Sequence, residues 1–183
     1  MRDRFSMGVI LALLLLAPGL HGAYAKDTAQ SNVTNIVQLD SDDGKSALSI
    51  ATRNTAGASE QKFVALAVKY RHLDDHNRFD GSYDVLAVDF TADDWQKFVS
   101  LWQKARSEPR YADRDNLIGG YFDKAGDTRL TVWASSDGNI VFTMAGNPDA
   151  HNQPRDTAYF ILPSKDFDAF DGAMKKVSAY FRG

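Results

Sequence analysis

Two stretches of this chain follow the same order: short segments of alternating apolar and polar residues come first, and an amphipathic helix closes each stretch. In the first stretch this alternation, bounded by turn residues, predicts strands at 35–40, 46–52, 62–70 and 83–90. In the second stretch it predicts strands at 116–123, 128–135, 140–145 and 158–162. Short turns join consecutive strands in antiparallel sheets. The sequence therefore predicts an α+β fold of two ββββα units, with each antiparallel sheet packed by one amphipathic helix.

Both predicted helices have a start signal and an apolar stripe. Thr91 with Asp94 three residues later predicts the first N-cap, and Pro109 ends that helix by Glu108. Ser164 predicts the second N-cap. The stripe of the first helix consists of Trp95, Phe98, Trp102 and Ala105, and that of the second of Phe167, Phe170, Met174, Val177 and Phe181. We expect each stripe to lie on a sheet.

The two stretches also resemble each other in sequence. The segment 90–98 matches 162–170 in its Asp, aromatic and Phe positions, and the hairpin segment 44–50 matches 126–132. The offset between the matches is smaller at the helices than at the hairpins, which predicts shorter later connections in the second unit. We infer one globular domain over 35–183, built of units at about 35–106 and 116–183.

The first 25 residues have the three parts of a secretory signal peptide. Arg2 and Arg4 precede an apolar run at 7–17, and a small-x-small cleavage site ends at Ala25. The mature protein is expected to begin at Lys26, with a flexible lead-in over 26–34, and to be periplasmic or extracellular. The apolar run is too short to cross a bilayer, which takes about 20 residues. No membrane span is expected.

The composition excludes some kinds of catalysis and metal centre and disfavours one class of partner. The chain has no cysteine, so disulfides, thiol catalysis and cysteine-bound metal centres are excluded. Its formal net charge is −3, and loss of a leader with two arginines and one aspartate makes it more acidic. An acidic surface repels a phosphate backbone, so nucleic acid is an unfavourable partner. The sequence contains no nucleophile elbow, phosphate-binding glycine loop or zinc-protease motif, so we expect no cofactor and favour a protein that is not an enzyme.

The histidines downstream of the leader all fall between the third and fourth predicted strands of their unit. His72, His76 and Asp75 lie in the first such connection and His151 lies in the second. These side chains could ligate a metal such as zinc if the connections converge. The nearby turn formers instead favour polar turns whose side chains bond their own backbone. We prefer turns and keep a metal site as an alternative.

The tandem order of four strands and a capped helix resembles the Whirly and Pur-alpha type folds, which bind single-stranded nucleic acid. The resemblance covers 35–183, lies in topology alone and transfers no motif. It implies sheets that present aromatic and basic residues, and Tyr121, Trp133 and Tyr159 on predicted strands could form such a binding surface. The same aromatics could pack in the core or between the units. The signal peptide and the acidic charge depart from the pattern of these folds.

These observations favour an exported, non-enzymatic binding module: an inhibitor, an immunity-type protein or an accessory protein of the cell envelope. The expected partner is another protein, and a homodimer is also compatible with the sequence. A metal-binding protein or an enzyme that uses the histidine-bearing connections is the alternative. A single-strand nucleic-acid binder is a second alternative, which the acidic charge and the signal peptide disfavour.

Overall fold

A computed structural model of the chain describes residues 32–54, 61–73, 78–123, 127–146 and 157–183. The predicted signal peptide 1–25 lies outside these residues, as does most of the predicted lead-in. The first strand begins at Asn32, three residues before the predicted start. Asn32 pairs with Asn54 and Thr34 with Thr52 of the next strand. This cross-strand pairing, which the local polar sequence does not reveal, places 32–34 in the sheet.

Within the described residues, the elements follow the predicted order. The first unit contains β1 (Asn32–Asp40), β2 (Ser46–Asn54), β3 (Lys62–Leu73), β4 (Phe79–Phe90) and helix α1 (Ala92–Ser107). The second contains β5 (Asn116–Asp123), β6 (Thr128–Ala134), β7 (Ile140–Gly146), β8 (Thr157–Leu162) and helix α2 (Phe167–Arg182). Each set of four strands forms one antiparallel sheet in chain order. The predicted α+β fold of two ββββα units is confirmed.

The turn between β1 and β2 is closed by a network of side-chain and backbone hydrogen bonds. The Ser41 hydroxyl accepts hydrogen bonds from the backbone N–H groups of Lys45 (3.2 Å) and Ser46 (3.0 Å). It also donates to the Asp43 carboxylate at 2.8 Å. Gly44 has a φ of +66°, which a residue without a Cβ adopts at no steric cost. The predicted hairpin is therefore present, and its turn is a well-bonded unit.

Helix α1 begins and packs as its sequence predicts. The Thr91 hydroxyl accepts a hydrogen bond from the Asp94 backbone N–H at 3.3 Å and donates to the Asp94 carboxylate at 3.0 Å. The helix ends at Ser107, before Pro109. All four members of its predicted stripe are buried: Trp95, Phe98, Trp102 and Ala105.

Helix α2 starts differently from the prediction. Ser164 is not its N-cap, because 164–166 form a 3-10 turn in which the Asp166 backbone N–H donates to the Pro163 carbonyl at 2.9 Å. The helix proper begins at Phe167, with Asp166 at the cap position. The prediction for Ser164 was wrong because the tighter turn that follows Pro163 takes up the residues that would have formed the first helical turn.

One aromatic core joins the two units. The ring centroid of Phe170 on α2 lies 4.6 Å from that of Trp102 on α1 and 5.5 Å from that of Phe142 on β7. Polar bonds connect the helices as well: the Trp102 indole N–H donates to the Asp171 carboxylate at 2.6 Å, and the Trp95 indole N–H donates to the Ser178 hydroxyl at 3.3 Å. Each helix therefore contacts the partner helix, and the described core is shared.

The two units also share a β-bulge in the first strand pair of each sheet. A β-bulge interrupts the β1–β2 pairing between Asn35 and Val37, and another interrupts the β5–β6 pairing between Leu117 and Gly119. The predicted shortening of the second unit lies in different elements, however. The strands β3 and β4 have 12 residues each, whereas β7 has 7 and β8 has 6. The expectation of shorter connections was wrong, because it is the strands that are shorter.

Both described helices are too short and too polar to cross a bilayer. Each has 16 residues, and the described part of the chain contains no helix that is long and apolar enough for a span.

Candidate functional site

The second sheet turns one face toward the core and the other away from it. Along β6, β7 and β8 every second side chain is buried, so the intervening side chains share the opposite face. We call this opposite face the outer face. Its cross-strand register aligns one apolar residue from each strand in a row, which we call the outer row: Leu117, Trp133, Val141 and Ile161.

The outer face exposes large apolar side chains. Leu117 is 52% exposed, Ile161 45% and Phe122 42%. Tyr159, in the row next to the outer row, is 63% exposed. The charged side chain that the described strands place on this face is Arg129. Contiguous exposed apolar surface of this kind is typical of an interaction site, since soluble proteins otherwise bury it.

The three aromatics that the sequence singled out lie in different environments. Trp133 and Tyr159 are on the outer face, and the Trp133 indole N–H donates to the Thr131 hydroxyl at 3.2 Å. Tyr121 points to the other side of the sheet, where its ring centroid lies 4.6 Å from that of Phe90. The structure therefore places Trp133 and Tyr159 on the outer face and Tyr121 in the packing between the units.

Tyr121 belongs to a polar junction at which β5 closes the free edge of β4. The Asp89 backbone N–H donates to the Asp123 carboxylate at 2.9 Å, and the Asp89 carbonyl accepts from the Tyr121 hydroxyl at 3.1 Å. The Asp89 carboxylate forms an ion pair with Arg53 at 2.5 Å. An unpaired strand edge invites pairing with another chain, and side chains of the second unit prevent this at Asp89.

The surroundings of this junction raise the pKa of two of its acidic groups, Asp89 and Tyr121. Burial raises the pKa of the Asp89 carboxyl; the Arg53 guanidinium opposes this change and the Asp123 carboxylate adds to it. Burial also raises the pKa of the Tyr121 phenol, and neighbouring carboxylates contribute. Acidic groups with shifted pKa values can mark an active site. Here, however, Asp89 is bonded to Tyr121, Asp123 and Arg53. Because these bonds hold β4, β5 and Arg53 together, we assign the junction to the stability of the fold. The described residues contain no group of three or more side chains suited to a metal ion.

A cleft lies beside β8, the edge strand of the second sheet. It is a cleft of about 620 Å³ between the β1–β2 turn, the ends of β3 and β4, and β8. The residues that line it include Lys45, Tyr70, Arg71, Leu73, Tyr159 and Ile161. Its volume falls in the range of about 300–1,000 Å³ that is typical of small-molecule sites.

Three of the proposed metal ligands, His76, Asp75 and His151, fall in 74–77 and 147–156, outside what the structure describes. His72 lies on β3 and not in the connection predicted for it, because β3 continues to Leu73, and its side chain is outside the described part. The described residues that flank these two connections, Leu73 and Thr157, both line the cleft. The preference for turns over a metal site stays a prediction.

Sequence reasoning missed the cleft, because its walls come from both units and no local motif marks them. It also missed Leu117 and Phe122, although their strand was predicted, because a bulge in β5 changes the face on which its residues lie. Ile161 on β8 was missed because only aromatic side chains had been considered for a binding surface. Comparison with known proteins adds no relative: no protein-family model, curated protein or solved structure matches the chain significantly. No comparison supports the resemblance to Whirly and Pur-alpha type folds, which stays a sequence-based expectation.

Proposed function

We propose that this chain is an exported, non-enzymatic binding module that recognises another protein through the outer face of its second sheet. In this proposal it acts as an inhibitor, an immunity-type protein or an accessory protein of the cell envelope. The observation that carries the proposal is the outer row, in which four strands contribute Leu117, Trp133, Val141 and Ile161 to one apolar band.

The composition of the outer face fits a protein partner. Aromatic and aliphatic side chains flank each other there, and tyrosine and tryptophan supply much of the binding energy in protein interfaces. Arg129 is the charged side chain on this face among the described strand residues. A partner surface that is apolar with an acidic residue near its rim would complement both features.

A nucleic-acid partner has less support. The face of the first sheet that points away from the core carries Arg53, Lys69 and Arg71. The same face also carries Asp40 and Asp89, and Arg53 is paired with Asp89. A continuous basic stripe, which a phosphate backbone would need, is therefore not formed by the described residues of this sheet.

The partner can be tested with a matched pair of variants. Leu117→Asp places a charge in the outer row, whereas Val33→Asp places the same charge at an exposed aliphatic residue of β1, on the other sheet. We expect the wild type and Val33→Asp to retain the same envelope protein in affinity capture, and Leu117→Asp to lose at least about 90% of it, since a charge in an apolar interface is left desolvated. Equal retention by Leu117→Asp would contradict the proposal.

The same pair separates a homodimer from a different partner. If the outer face binds a second copy, sedimentation of the pure protein will show a dimer that Leu117→Asp dissociates and Val33→Asp does not. That result would assign the face to self-association and would replace the proposed partner by this chain itself.

Export is tested separately. The tripartite start predicts cleavage after Ala25. N-terminal sequencing of the protein recovered from the periplasm or the medium of the producing cells should therefore find Lys26 or a residue within a few positions of it. Recovery of the protein inside the cytoplasm with Met1 intact would contradict the proposed export.

A further inference from the structure

The end of β3 and the start of β4 form a two-stranded ribbon that extends past the neighbouring strand. The register of β2 with β3 stops at the pair of Ser46 and Tyr70, whereas β3 continues to Leu73, which pairs with Phe79 of β4. Within the described part of the first sheet, no strand therefore lies beside β3 on the β2 side from Arg71 onward.

Two cations and two aromatic rings cluster on the face of this ribbon that points away from the core. The Lys69 Nζ atom lies 4.3 Å from the centroid of the Tyr83 ring, and the Arg71 guanidinium carbon lies 4.7 Å from that of the Phe79 ring. The two rings contact each other edge to face, with centroids 5.3 Å apart. Phe79 is 40% exposed and Tyr83 is 36% exposed. We call these four side chains the cationic cluster.

The cations of the cationic cluster have no acidic partner among the described residues. Five other described cations do form ion pairs: Lys45, Arg53, Lys97, Arg106 and Lys165. Lys69 and Arg71 are both partly exposed. A guanidinium that stacks on a ring uses its face for the contact and keeps N–H groups in its plane for an acceptor. Both cations can therefore bind an anion while they stay on their rings.

Two aspartates share this face of the first sheet, but neither neutralises the cationic cluster. Asp89 forms the ion pair with Arg53. Asp40 lies in the same register row as Lys69, with Ala47 of β2 between them. Two strand spacings separate Asp40 from Lys69 by about 10 Å, which exceeds the Debye length of about 8 Å at physiological ionic strength.

We propose that the cationic cluster is a docking surface for an acidic segment of a partner protein, in which two carboxylates placed two residues apart meet Lys69 and Arg71. These two residues are alternate positions on one face of β3, so their Cα atoms are about 6.5–7 Å apart. Alternate residues of an extended peptide have the same spacing. Charge complementarity and this spacing together select the occupant.

The rings of the cationic cluster favour such a segment in two ways. Phe79 and Tyr83 hold the two cations in place, which reduces the conformational entropy that long side chains lose on binding. The exposed parts of both rings also offer apolar contact to a side chain next to the carboxylates. The surface lies on the first sheet and shares no residue with the outer row, so it extends the proposed function by a second, separate contact.

A single-stranded nucleic acid also carries regularly spaced anions, but it fits this surface less well. Its phosphates continue in both directions beyond the two cations, and the chain that they would meet there has a formal net charge of −3. A short acidic segment needs no more than the two cations that the cationic cluster supplies. The nucleic acid is therefore kept as an outcome of the test.

The test titrates the purified protein with four probes at low ionic strength and follows the binding by NMR. The acidic peptide is acetyl-Gly-Glu-Phe-Glu-Gly-amide, and its counterpart with two glutamines lacks both charges. Glutarate represents a free diacid, and an octamer of thymidine represents a nucleic acid. We expect the acidic peptide to bind saturably, with a Kd of about 1 mM or less, and the other probes to bind at least about tenfold more weakly. Amide resonances of Lys69, Arg71, Phe79 and Tyr83 should shift together during the titration.

A matched pair of double variants locates the binding. Lys69→Gln with Arg71→Gln removes both cations of the cationic cluster and should reduce the affinity for the acidic peptide at least about tenfold, to the level of the glutamine peptide. Lys175→Gln with Lys176→Gln removes the same charge from exposed positions of α2 and should leave the affinity within about twofold of the wild type. Unfolding temperatures close to that of the wild type show that each variant is folded. If the first double variant fails this criterion, Lys69→Gln alone carries the comparison, with an expected loss of about threefold.

Several results would overturn the proposal. Equal binding of the acidic and glutamine peptides would show that the carboxylates are not recognised, and equal losses in the two double variants would show that only the total charge matters. Binding of glutarate as tight as that of the peptide would assign the surface to a free diacid, and tighter binding of the thymidine octamer would assign it to a nucleic acid. Absence of peptide binding at about 10 mM would also contradict it. None of these results depends on the outer row, so partner capture by Leu117 variants succeeds or fails independently.

Discussion

Replacing Phe170 by alanine is expected to lower the free energy of unfolding by about 3–5 kcal/mol. The Phe170 side chain is fully buried, and it packs against Trp102 of α1 and Phe142 of β7 with ring centroids 4.6 and 5.5 Å away. Its removal leaves a cavity whose walls come from two helices and a sheet, so no single element can move to fill it. Urea unfolding followed by circular dichroism measures the change.

Tyr159→Ala is the control for this substitution. It deletes an aromatic ring of similar size that is 63% exposed, so it should cost less than about 1 kcal/mol. Because Phe170 connects the two units, the wild type and both variants should unfold in one cooperative transition. A loss below about 1 kcal/mol for Phe170→Ala, or two separate transitions, would show that the units do not depend on a common core.

The elements of this fold could be predicted because their signals are local. A helical stripe such as Trp95, Phe98 and Trp102 is visible in three turns of sequence, and the cap at Thr91 needs only the next three residues. The bounds of β5 follow for the same reason: a short apolar run lies between charged residues on either side. Each of these features depends on neighbours in the chain and not on the rest of the molecule.

The ends of β3 and β4 could not be predicted, because what defines them is contact across strands. Arg71 stacks on Phe79 at 4.7 Å, Lys69 stacks on Tyr83 at 4.3 Å, and Leu73 pairs with Phe79 in the register of the sheet. Basic and aromatic side chains that support each other in this way have no alternation of their own. Pairing therefore carries both strands beyond their apolar segments.

The sequence also did not reveal on which face of β5 each residue lies. Strict alternation would place Leu117, Tyr121 and Asp123 on one side of β5. The bulge between Leu117 and Gly119 breaks the alternation, so Leu117 is exposed while Tyr121 and Asp123 point to the junction with β4. One extra residue in a strand thus decides which side chains can meet a partner and which close an edge.

Asp123 offers the sharpest test of that junction, because its carboxylate has two effects of opposite sign. It accepts the hydrogen bond of the Asp89 backbone N–H at 2.9 Å, and its charge raises the pKa of the Asp89 carboxyl. Asp123→Ala removes the acceptor and is expected to cost about 1–3 kcal/mol, since a buried N–H then loses its bond. Asp123→Asn keeps an acceptor oxygen and removes the charge, so it should change the free energy of unfolding by less than about 1 kcal/mol at neutral pH.

The pH dependence separates these two effects. The pKa of Asp89 is raised above its ordinary 3.8, so the folded state holds this proton more tightly than the unfolded state. Asp89 therefore contributes stability that is present below 3.8 and is lost as the pH rises through the raised pKa. In Asp123→Asn this loss should be smaller, because one cause of the raised pKa is gone.

Urea unfolding of the wild type and this variant between about pH 3 and 7 measures the difference. If their stabilities run parallel over this interval, the Asp123 charge does not act on Asp89, and the carboxylate serves the junction only as an acceptor for the edge of β4.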